Sequence, residues 1–92
     1  MKVSDYIWEY LYKTTGSKHI FLLSGGGMMH LLDSAGKSKF KLIPMHHEQA
    51  ASIAANAYGR TINSIGICLV TSGPGATNAI TGVTAAYMDS VP

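Results

Sequence analysis

The sequence predicts an α/β fold built on a three-layer doubly wound parallel sheet, and three observations carry that expectation. Short apolar runs alternate with segments of helical period along all 92 residues. Each apolar run leads into glycine or proline, and the third, "SIGICLVT" (64–71), is apolar enough throughout to be covered on both faces. Alternation of this kind is the pattern of parallel strands joined by crossover helices.

The elements follow in order. "VSDYIWEYLYKTT" (Val3–Thr15) spaces Val3, Ile7, Tyr10 and Leu11 at helical intervals, with Ser4 placed as an N-cap and Gly16 just past the end. "HIFLL" (His19–Leu23) is a buried strand that runs into Ser24 and three glycines. A short helix from about Met28 to Ser34 follows, with Gly36 as its stop, and "KFKLIP" (Lys39–Pro44) is a second strand ended by Pro44. The segment from His47 to Arg60 is the next helix, 64–71 the third strand, and "SGPGATN" (Ser72–Asn78) a turn into a last helix over Ala76–Met88. Together they describe a flavodoxin-like arrangement. Three parallel strands alone leave unpaired edges, which natural domains avoid, so residues 1–92 are expected to form the first half of a larger domain.

Composition narrows the function. Charged residues make up 13% and hydrophobic residues 47%, an apolar balance against the ~25% charged residues usual in soluble domains. That excess, in a chain whose own core is small, points to a partner surface or an oligomer. A net charge of +2, with seven basic residues scattered along the chain, excludes a nucleic-acid footprint. Residues 1–20 hold no apolar stretch long enough for a signal peptide or membrane span. The single cysteine, Cys68, lies inside an apolar run and reads as a small buried hydrophobe. The expected setting is cytoplasmic, with no membrane.

Several motifs fail. A dinucleotide turn needs G-x-G-x-x-G, but Gly25 and Gly27 are followed by His30 where the third glycine belongs, and Gly73 and Gly75 by Asn78. No lysine stands in a P-loop frame. An H-E-x-x-H zinc helix starting at His47 would need histidine at Ala51, and His46, His47 and Glu48 cannot converge on one ion because successive helical residues point about 100° apart. No metal site is expected in this chain.

What survives is a coincidence. Leu23–Gly27, Pro44–Glu48 and Thr71–Asn78 each leave a strand at its carboxyl end, the edge where open parallel sheets bind ligands. Glu48 is one of five acidic residues, and it heads a helix rich in alanine (Ala50, Ala51, Ala54, Ala55, Ala57) with a thin polar stripe at Gln49, Ser52, Asn56 and Arg60. A first-turn glutamate can serve only the helix dipole or cap. Alanine on most sides, however, lets neighbouring backbones approach closely. A carboxylate at the head of such a helix is poorly solvated and poised to share a proton with a ligand.

"HEQAASIAANAYGR" (47–60) followed by "GICLVTSGPGATNAITGVTAAYMDSVP" (66–92) closely resembles the amino-terminal pyrimidine-binding domain of thiamine-diphosphate enzymes of the acetolactate synthase group. The resemblance covers essentially the whole chain. It implies that Glu48 hydrogen-bonds a ring nitrogen of the cofactor's aminopyrimidine and promotes the imino tautomer that takes the proton from the thiazolium carbon. It also implies that Gly25 and Gly26 line the catalytic cavity, and that Pro74 and Asn78 pack near the aminopyrimidine. The cofactors it implies are thiamine diphosphate and Mg2+, with the diphosphate and Mg2+ held by a G-D-G motif in a separate domain. The partners it implies are a 2-keto acid such as pyruvate and a second subunit, at least a homodimer, that shares the site. Leu23 and Ser24 replace the tyrosine and proline common in the first turn of acetolactate synthases. "GGGMMHLLDS" (25–34) resembles instead a subgroup that joins a two-carbon unit to a keto sugar for surface polysaccharides. A non-catalytic interaction module of the same fold would have no need of Glu48, and a nucleotide-binding flavodoxin-like protein is disfavoured by the failed phosphate motifs.

Overall fold

A computed structural model describes residues 1–92. Its helices are α1 (Val3–Thr15), α2 (Met29–Lys37), α3 (Glu48–Ile62), α4 (Pro74–Asn78) and α5 (Ile80–Met88). Its strands are β1 (His19–Leu22), β2 (Lys41–Pro44) and β3 (Cys68–Leu69), and one 3₁₀ turn spans Gly26–Met28. The strands form one parallel sheet in the order β2-β1-β3. This is the 2-1-3 order of a doubly wound sheet, with its switch point between β1 and β3.

Alternation along β1 builds the layers. Ile20 and Leu22 are buried on one face with Trp8 of α1, Met28 and Ala35 beside and within α2, and Phe40, Ile67 and Leu69. Trp8 also donates its indole N–H to the Leu31 carbonyl at 2.8 Å, so its one polar atom is satisfied inside the core. Phe21 and His19 face the other way and meet the Tyr58 ring of α3 edge-on. α5 covers α3 from outside.

That outer contact explains the alanine-rich sequence. A Cβ on Gly82 of α5 would lie 2.1 Å from the Ser52 hydroxyl and 2.7 Å from the Ile53 backbone nitrogen. The two helices therefore touch main chain to main chain. Ala51, Ser52, Ala55 and Gly59 are the buried positions of α3 beyond its first residue.

Several caps and boundaries differ from the sequence expectation, and the following have a physical reason. Helix α1 spans Val3–Thr15 as expected, but Ser4 does not cap it: Lys2 holds that position, Asp5 accepts the Lys2 N–H at 3.1 Å, and the Ser4 hydroxyl meets that of Ser34 in the interior at 2.7 Å. α2 runs through Gly36 to Lys37, because Gly36 keeps helical backbone and Ser38 closes the last turn onto the Ala35 carbonyl. The apolar run 64–71 contributes only Cys68–Leu69 to the ladder, since Asn63 turns left-handed (φ 54°) and Ser64 bonds back to the end of α3. The last helix starts earlier, at Pro74, and breaks at Ala79, whose N–H bonds the third carbonyl back instead of the fourth.

Gly82→Val should destabilise the protein by about 1–3 kcal/mol, the usual cost of forcing atoms into a filled contact. Gly36→Ala, where an added Cβ meets nothing within 4 Å, should stabilise it by about 0.5–1 kcal/mol. Urea unfolding of both variants measures the contrast.

Candidate functional site

The three loops predicted to share one edge do so. Met45, leaving β2, donates its N–H to the Leu22 carbonyl at the end of β1 at 2.8 Å. Gly27, in the loop after β1, donates its N–H to the Thr71 hydroxyl after β3 at 3.1 Å. Thr71 is the meeting point. A Cβ on Gly25 would fall 2.6 Å from the Thr71 side chain, one on Gly27 2.8 Å, and one on Gly75 2.8 Å. Glycine at these positions lets two loops close on one threonine.

Glu48 is the first residue of α3 and only 9% exposed. It does not cap the helix. His47 holds that position in extended backbone, and its Nδ1 accepts the Gln49 N–H at 3.0 Å. None of the four ion pairs in the structure includes Glu48. Its side-chain hydrogen bond comes from Asn78, the last residue of α4, whose Nδ2 donates to Oε1 at 3.3 Å. The other oxygen, Oε2, sits beside Gly75, where a Cβ would stand 3.6 Å away. The carboxylate is thus buried among neutral groups and backbone, with no cation to satisfy its charge. Such a group invites a ligand that can donate a hydrogen bond.

The remaining predicted residues are placed at the same edge with less definite contacts. Gly25 is extended and packs on Thr71. Gly26 opens the 3₁₀ turn, exposed, with 4 Å of clear space where a side chain would be. Pro74 begins α4 after Gly73, which takes φ 69°, and is also exposed. His30 and His46 are exposed as well.

Sequence reasoning missed Thr71 as the keystone. The available signal was two glycine clusters at one sheet edge with a β-branched threonine two residues before the second. Cys68, expected to be enclosed, is half-buried. Burial, with the negative charge of Glu48 adding to it, pushes its thiol up to about 11. No group of three or more His, Cys, Asp or Glu side chains could hold a metal ion. A cavity of about 520 Å³ lies between α1 and α2 against Trp8, Tyr12 and Lys39 and includes none of the residues at this edge.

The family described as "Thiamine pyrophosphate enzyme, N-terminal TPP binding domain" matches residues 1–92. This chain belongs to that family. It is 49% identical over 78 residues to the acetolactate synthase large subunit of Buchnera aphidicola subsp. Schizaphis graminum, a match covering 84% of this chain and 14% of that protein. It is 46% identical over 83 residues to an acetolactate synthase of Arthrospira platensis, with the same two coverages. The probable acetolactate synthase large subunit of Methanocaldococcus jannaschii is 46% identical over 77 residues, covering 84% of this chain and 13% of that protein. The chain thus spans about one-seventh of the length of these curated relatives.

Two measurements check the site's architecture. Gly75→Ala should destabilise by about 1–3 kcal/mol through the Thr71 methyl, and Thr71→Ser, which deletes that methyl, should restore most of the loss in a double-mutant cycle. Alkylation of Cys68 by iodoacetamide follows its thiolate fraction. At pH 8 it should be at least about tenfold slower in the folded protein than in urea, and should accelerate as pH rises from 9 toward 11. The stability contributed by the protonated thiol is complete below its ordinary value of 9.0 and lost as pH rises through about 11.

Proposed function

We propose that this chain supplies the aminopyrimidine half of a thiamine diphosphate site, in an enzyme that acts on a 2-keto acid such as pyruvate by acetolactate synthase-type carboligation or decarboxylation. The observation that carries the reading is Glu48: a buried carboxylate with no cationic partner, at a helix start between two glycine loops. An aminopyrimidine fits this environment, because it is neutral and flat, and its ring nitrogen can accept a hydrogen bond from a protonated carboxyl and so share that proton with Glu48. A domain beyond this chain would hold the diphosphate and Mg2+, and the cofactor would lie between subunits of an oligomer.

When bound, thiamine diphosphate supplies a carbon that becomes a nucleophile toward the keto acid once its proton is removed. Glu48 would take or share a proton at the pyrimidine ring through a carboxylate oxygen. His47 holds the helix start in place by accepting the Gln49 N–H, so Glu48 is released from capping. Thr71 fixes the distance between the loops that flank the carboxylate. Burial of Glu48 keeps water from competing for that proton.

The acetolactate synthase names of the relatives support pyruvate as donor, and the Leu23–Ser24 departure in the first turn leaves the acceptor to product analysis with keto acids against keto sugars. A half-buried free thiol suits a reducing, cytoplasmic setting. No helix is long and apolar enough to cross a membrane.

In the holoenzyme carrying this chain, Glu48→Gln should preserve the fold and most of the cofactor affinity while slowing exchange of the cofactor C2 proton by about 10²–10⁴-fold. Exchange followed by proton NMR within a few-fold of the unaltered enzyme would reject the role.

A further inference from the structure

The side chain that meets Glu48 belongs to a residue 30 positions away, and the contact is specific in its chemistry. Asn78 closes α4, a five-residue helix that begins with Pro74 and is anchored through Gly75 against Thr71. Its amide Nδ2 reaches Glu48 Oε1 at 3.3 Å and makes no other side-chain hydrogen bond in the structure. A carboxylate that swings about its last torsions can point either oxygen at a ligand. One whose Oε1 accepts from an amide while Oε2 faces the position of a Gly75 side chain has a preferred orientation.

We propose that Asn78 is a positioning residue: it orients the Glu48 carboxylate for proton transfer and acts through Glu48, without itself supplying affinity for the cofactor. The inference rests on the role given to Glu48 above. A neutral donor suits the task. Lysine or arginine in its place would form an ion pair with Glu48 and compete with the ligand for the charge, whereas an amide fixes geometry and leaves the carboxylate's basicity available. The residue lies at the end of α4 next to the break at Ala79. That break ends α4 at Asn78, apart from the longer α5, so the amide's place is set by the short α4 and its anchor on Thr71.

The test uses the holoenzyme with Asn78→Ala, the near-isosteric Asn78→Asp, which loses the donor, and Asn78→Gln, which keeps an amide on a longer stem. In the cofactor-free protein the Glu48 Cδ resonance in ¹³C NMR, assigned by its absence in Glu48→Gln, should move in the Ala and Asp variants and return toward its original position in Gln. With thiamine diphosphate added, C2 proton exchange should slow about 10–100-fold in Ala and Asp, the range a misplaced catalytic group costs, while the cofactor concentration for half-saturation stays within threefold. Gln should recover part of the rate. An unmoved Glu48 resonance would overturn the contact. A rise in half-saturation with unchanged exchange would overturn the positioning role and make Asn78 a direct cofactor ligand. If Glu48→Gln itself left exchange unchanged, the function assigned to Glu48 would fall while the resonance shift still decided the contact. Should Ala fail to fold, the Asp variant, matched in shape, carries the same outcomes.

Discussion

The Thr71 side chain occupies space that three absent side chains leave open. Gly25 and Gly27 approach it from the loop after β1, Gly75 from the start of α4, and its hydroxyl takes the Gly27 N–H. The loop after β1 and the start of α4 are both referred to this point. The loop after β1 cannot move outward without giving up that hydrogen bond, and α4 cannot tilt inward without driving its backbone into the threonine methyl. Because α4 carries Asn78 and stands beside Glu48, the same threonine indirectly locates the carboxylate. A larger residue would push the loops apart, and a smaller one would leave a void among backbone groups that close packing disfavours.

Burial of a carboxylate without a counter-ion is otherwise hard to reconcile with stability, because desolvation of a charge is costly unless something replaces the lost water. In this chain the local folding problem at the head of α3 is solved by His47, which relieves Glu48 of any structural duty. A buried glutamate with no cation beside it and no capping duty is a local inconsistency of the kind that functional sites carry. The role proposed above for Glu48 would give that inconsistency a chemical meaning.

Much of this was legible in the sequence, and the gaps have definable causes. The extent of α1 was readable from its regular apolar period and from Gly16, which takes the left-handed φ of 73° that closes the helix, but its cap was not, because Ser4 turns into the interior toward Ser34. The three loops could be assigned to one edge from strand direction alone. The length of β3 could not be read, since an apolar run reports burial and not pairing; the ladder ends where Asn63 and Ser64 fold back onto α3. The break at Ala79 was invisible because alanine is a strong helix former, and only tertiary packing opposes its propensity. Glu48 stood out as a carboxylate in an alanine-rich helix. Its contact with Asn78, and the role of Thr71, depend on loops brought together by the sheet, which no local pattern encodes.

α3 meets α5 where Gly82 stands opposite Ser52, and meets the loop before β3 where Ala55 and Gly59 stand against Gly66. Such residues have almost no rotamers to give up on burial, so bringing the helices together costs little side-chain entropy. The same absence removes the usual cushion. Long side chains let packed helices slide and re-adjust by hopping between rotamers, whereas main chain in direct contact has few such alternatives. The head of α3 is therefore registered against the rest of the protein with backbone accuracy, and the carboxylate oxygens of Glu48 stand only a few torsions away from that fixed frame.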